Sequence, residues 1–139
     1  MRKTIKLPSN QHRSLSVTAQ TIEQTLDELE AILRSRGIER LTSRVRASYS
    51  DRSRQDLLDA ISEMRKVNEE MVCTFQLQKT EREEARILRA AIAQLWTILV
   101  DSTSKGMRGF GNLSPELARE LDRHVERLLV LLDRIHQRT

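Results

Sequence analysis

The 139 residues are 38% hydrophobic and 32% charged, with four Gly, two Pro and one cysteine, Cys73, which excludes collagen-like and Pro/Gly-rich chains and an internal disulfide framework. Aromatic residues at 3% argue against a sheet protein. The net charge of +4 sits wholly in residues 1–15, where Arg2, Lys3, Lys6 and Arg13 meet no acid. The remainder balances, so the protein-wide positive field of a generic nucleic-acid binder is absent.

Residues 1–15 contain Pro8 and no sustained period, and read as a basic flexible arm ahead of a single all-helical domain over residues 16–139. From Ser16, Ile22, Leu26, Leu29, Ile32 and Leu33 recur at three- and four-residue spacing, the signature of one helical face. Gly37 is placed to end that helix, because glycine takes a positive φ at little steric cost. Ile38, Leu41, Val45 and Tyr49 then suggest one to three further helical turns, flanked by Arg40, Arg44 and Arg46. Ser50 and Asp51 are N-cap candidates for the next helix.

Arg52 to Ser104 contains neither Gly nor Pro, and an unbroken helix of that length would be a rod of about 80 Å. A polar interval, Gln78 to Glu84, interrupts its apolar seam. Thr80 and Glu83 have capping-box spacing and could begin a new helix, whereas the absence of Gly and Pro favours continuity. Gly106, Gly109 and Gly111 then mark a chain reversal whose glycines would serve positive φ angles, and their spacing matches no phosphate-binding loop. Ser114, Pro115 and Glu116 form a strong helix start. Leu117, Leu121, Val125, Leu128, Leu129, Leu132 and Ile135 give the last helix its stripe, widened by Val130 and Leu131.

The expected fold is therefore all-α with long antiparallel helices. It would be either a central long helix with a helical hairpin at each end, paired as a dimer, or a four-helix bundle. The last helix carries more apolar width than a two-helix hairpin can bury. A homodimer is thus expected through Leu57, Ile61, Met64, Met71, Phe75, Leu88, Ile92, Leu95, Trp96, Leu99, Leu128 and Leu132.

Chemistry-bearing patterns are sparse. Asp133 and His136 share a helical face, but a helical metal site needs a second such pair, so no metal or other cofactor is expected. Cys73, beside Met71, Val72 and Phe75, reads as a packed core thiol. No G-x-S-x-G elbow occurs, so no catalytic residue is assigned and no enzyme is expected. The segment from Arg34 to Arg54 is Arg-rich and comes after an acidic stretch holding Glu23, Asp27, Glu28 and Glu30, whose partners those arginines could be.

These features together suggest a cytoplasmic, non-enzymatic helical scaffold. It would self-associate through coiled-coil-like seams and engage an acidic protein partner through Arg36, Arg40, Arg44, Arg46, Arg108 and Phe110. The alternatives are a nucleic-acid-associated regulator using the Arg-rich segment 34–54 and a helical-bundle ligand sensor or enzyme. No stretch is apolar enough for membrane insertion, and residues 1–10 lack the apolar core of a signal peptide.

Overall fold

A computed structural model describes residues 4–139; Arg2 and Lys3 of the expected arm lie outside the described residues. Among the described residues the protein is all-α apart from one two-stranded ribbon, and it divides into two compact units, the first ending at Lys79 and the second spanning Thr80–Thr139.

The first unit is an antiparallel pair of helices, α1 (Ser9–Ser35) and α2 (Asp51–Thr74). Ala19, Leu26 and Leu33 are buried at seven-residue spacing on α1, and Leu26 and Leu33 meet Ile61 of α2, with Ile22 and Leu58 packed around them. α1 starts at Ser9, so residues 9–15 of the expected arm are helical, and the Ile5 amide donates to the Thr74 carbonyl at 2.8 Å.

Between the helices the expected helical turns are instead an antiparallel ribbon of β1 (Ile38–Glu39) and β2 (Arg44–Val45), with Ile38 opposite Val45 and Glu39 opposite Arg44. Apolar residues at helical spacing are outweighed here by the backbone just before them. Arg36 and Gly37 both take positive φ, 53° and 108°, which swings the chain off the helix axis. β-branched Ile38 and Val45 then pair across a turn closed by Arg40 N–H donating to the Ser43 carbonyl at 2.8 Å. Ser50 caps α2 as expected, its hydroxyl accepting from the Ser53 amide at 3.1 Å.

The long Gly-free and Pro-free run is broken, which removes the central rod. α2 ends where Gln76 takes φ 51°, the Leu77 amide donates to the Val72 carbonyl at 3.0 Å and the Gln76 amide to the Cys73 carbonyl at 3.4 Å. That is a Schellman closure built on a glutamine in place of glycine. His12 reaches the Gln76 carbonyl at 3.2 Å and fixes the turn.

The second unit pairs α3 (Glu84–Asp101) with α4 (Pro115–Gln137). α3 begins after Glu83 with no side-chain cap bond, so the Thr80–Glu83 capping box does not form. A 3-10 turn over Gly106–Phe110 leads to α4, whose Ser114 hydroxyl accepts from the Leu117 amide at 3.3 Å with Pro115 in the first turn, as the sequence implies. Of the three glycines here only Gly111 has a positive φ, 121°. Gly106 is required by proximity instead, since a Cβ there would stand 2.5 Å from the Asp101 carbonyl oxygen.

Candidate interaction surfaces

The chemistry of the second unit starts from its composition. Twelve of the eighteen residues of α3 are apolar, yet none of them is buried. On α4 only Val125 and Leu132 are buried. At about 100° per residue, Ile87, Leu88, Ala91, Leu95 and Ile98 lie along one side of α3, roughly a quarter-turn from the edge carrying half-buried Ala85, Ile92 and Leu99. On α4, Leu117, Leu128, Leu131 and Ile135 are exposed roughly a quarter-turn from the inward row Ala118, Val125 and Leu132. The two displacements have the same sense, and the helices run antiparallel. Both stripes therefore open on the same side of the hairpin and form one uncovered apolar face.

The opposite side of the same hairpin is a groove of about 420 Å³. Ile92, Ala93, Trp96, Leu129 and Leu132 line it with Arg89, Thr97, Asp133 and His136. Arg89 donates to the Thr139 backbone oxygen at 2.8 Å, and Asp133 accepts from Gln137 at 3.0 Å, so the polar rim is engaged with its own chain. Among the described residues no group of three or more His, Cys, Asp or Glu side chains is placed to hold a metal ion.

The first unit has a smaller apolar opening, where Ile22 of α1 faces Met64, Val67 and Met71 of α2. Its charged edge meets the expectation in part. Arg34 pairs with Glu30 at 2.9 Å within α1, whereas the ion pairs that cross from α2 to the acids of α1 come from Arg65, with Nη1 on Asp27 at 2.7 Å and Nη2 on Glu30 at 2.5 Å. Arg34, its largest influence, and Arg65 hold the Glu30 carboxyl below its usual range.

The sequence-derived residues separate accordingly. Ile61 and Leu132 are buried inside their own hairpins and cannot also form a seam between copies. Met71, Phe75, Ile92 and Leu99 are half-buried, whereas Leu57, Met64, Leu88, Leu95, Trp96 and Leu128 are exposed; Trp96 belongs to the groove and not to the open face. Ile87, Ile98, Leu117, Leu131 and Ile135 fall outside the expected seam, although Leu117, Leu121, Leu128, Leu131 and Ile135 keep a three- and four-residue spacing, interrupted by the polar His124, that marks a second stripe on α4.

Of the basic residues, Arg36 pairs with Asp51 at 3.0 Å and Arg44 with Glu39 at 2.5 Å. Arg54 is buried: Nη1 donates to the Leu33 carbonyl at 2.6 Å and Nη2 to the Tyr49 carbonyl at 3.2 Å, so it closes the end of α1. Among the described residues Arg40 and Arg46 have no ion pair, and they flank a ribbon whose tip carries the fully exposed Leu41. Arg108 is exposed and Phe110 is 90% exposed on the 3-10 turn. No helix among the described residues is long and apolar enough to cross a membrane.

Comparison of the chain with protein-family models, with curated proteins and with solved structures finds no match.

Proposed function

We propose that this protein is a non-enzymatic helical scaffold that self-associates through the apolar faces of its hairpins and presents the basic ribbon to an acidic protein partner. The observation that carries the first half is α3, an apolar helix with no buried residue. Surface area supports it: the chain exposes 12086 Å², whereas even two separate compact bodies of about 9 and 7 kDa would expose only about 8,900 Å² between them. At about 25 cal/mol per Å², the apolar part of that excess favours assembly when it is removed from water.

Sedimentation velocity over micromolar concentrations tests the reading: a dimer or higher assembly is expected, and a monomer across the range overturns it. For the acidic partner the support is narrower, namely Arg40 and Arg46, which hold no ion pair among the described residues, beside Leu41. Pull-down from lysate with wild type and with an Arg40→Glu/Arg46→Glu variant tests it, with acidic proteins retained by the wild type alone. A generic nucleic-acid contact draws less support, because Arg36 and Arg44 already hold carboxylates and Arg54 faces inward. Salt-sensitive binding of the wild type to DNA or RNA would revive it.

A further inference from the structure

We infer that the occupant of the open α3–α4 face is a second copy of this chain, related by a two-fold axis parallel to the helices, so that α3 of each copy lies on α4 of the other. The inference rests on the proposed self-association and specifies its geometry.

Ser104 donates its amide and its hydroxyl to Asp122, at 2.7 and 2.6 Å, and Arg89 reaches the Thr139 backbone at 2.8 Å. Counted at one rise per residue, these two contacts set Ile98 within about two residues' rise of Leu128, Leu95 of Leu131, and Ala91 of Ile135. A half-turn about an axis parallel to the helices keeps every residue at its level. It therefore lays Ile98, Leu95 and Ala91 of one copy against Leu128, Leu131 and Ile135 of the other, with the small Ala91 facing the large Ile135. Every neighbouring pair of helices is then antiparallel, as in a four-helix bundle.

Area and charge both favour a second copy in this arrangement. The large apolar residues of the face are each close to half exposed, between 43% for Leu88 and 61% for Leu117. Together they offer on the order of 800 Å² per copy, the contribution of each partner to a standard-size interface. The only acids of α3 are Glu84 and Asp101, while the outer edge of α4 carries Glu116 and Glu120 in its first turns and Arg127 and Arg134 further on. Laying α3 on the other copy's α4 brings Asp101 within about two residues' rise of Arg127.

The experiment uses full-length chain in a Cys73→Ser background checked to sediment as wild type does. Leu95→Cys and Leu131→Cys chains are oxidised separately and as a mixture. A disulfide in the mixture, with neither variant linking to itself, is the expected result, since opposed Cβ atoms within bonding reach are required. Self-linking of either variant, or no link from chains that still dimerise, overturns this arrangement while leaving self-association standing. A monomeric wild type removes both. Leu131→Asp, which would bury an unpaired charge, is expected to weaken the dimer at least about tenfold, with helical content by circular dichroism unchanged; unchanged affinity would also overturn the arrangement.

Discussion

Asp122 accepts two hydrogen bonds from one residue, Ser104, through its backbone amide at 2.7 Å and its hydroxyl at 2.6 Å. The serine lies in the connection after α3 and the aspartate within α4, so a single carboxylate ties the reversal to the helix it leads into. The Ser104 hydroxyl, the largest influence, and the Ser104 amide hold the Asp122 carboxyl below the usual range.

This contact gives stability a pH dependence of definite sign. A carboxyl whose folded pKa lies below its unfolded value contributes stability that is complete above the unfolded value, about 3.9 for Asp, and is lost as pH falls through the folded value. Asp122→Ala is therefore expected to lower the thermal midpoint at pH 7. The gap from wild type should persist at pH 5 and close below about pH 4. Thermal melts by circular dichroism at several pH values check this, and a gap that widens in acid would contradict the assigned role.

Two backbone positions carry opposite expectations. Gly37 has φ 108°, and a Cβ there would meet the Val45 carbonyl oxygen at 3.1 Å, so Gly37→Ala should destabilise by about 1–3 kcal/mol. Gln76 occupies the left-handed position that glycine usually fills, at φ 51°. Gln76→Gly should relieve about 0.5–1 kcal/mol of net strain. His12 accounts for none of the change in that variant, because it contacts the residue-76 carbonyl and not its side chain. Urea unfolding of both variants against wild type measures the two signs.

Gln76 also shows where the sequence stops being legible. Helical periodicity reveals the all-α class, the Ser50 and Ser114 caps and the heavy apolar load of residues 85–99, since these depend on local spacing and chemistry. The break after Thr74 does not. It rests on a Schellman turn without glycine, completed by His12 from 64 residues away. The inward role of Arg54 is similarly non-local, because nothing in an Arg-rich surface pattern distinguishes the one guanidinium that meets the end of α1. The open face is half legible: its α4 stripe can be read from spacing, but that it shares a side with the α3 stripe depends on how the two helices pair.

Arg54 yields a stability prediction of its own. Its side chain is buried and serves the carbonyls of Leu33 and Tyr49 together. Replacing it with Met keeps much of the apolar stem but strands both oxygens, and should destabilise by about 1.5–3 kcal/mol. Lysine should recover less than half of that, since an ammonium lacks the planar fork that reaches two acceptors at once. Chemical denaturation of Arg54→Met and Arg54→Lys tests the pair. Equal stability of lysine variant and wild type would mean that charge alone matters there.

Trp96 is the only tryptophan and is 55% exposed in the groove, on the side of the hairpin away from the open face. If two copies meet through the open face, its indole remains in water when they do. Acrylamide quenching of its fluorescence should therefore change little between dilute and concentrated protein. A Leu95→Trp/Trp96→Phe variant moves the reporter onto the open face, where assembly should remove it from water. Its quenching should fall as concentration rises, and its emission should shift to shorter wavelength. Protection of Trp96 itself on assembly, with the residue 95 reporter still accessible, would place the contact on the groove side and reverse the assignment of the two faces.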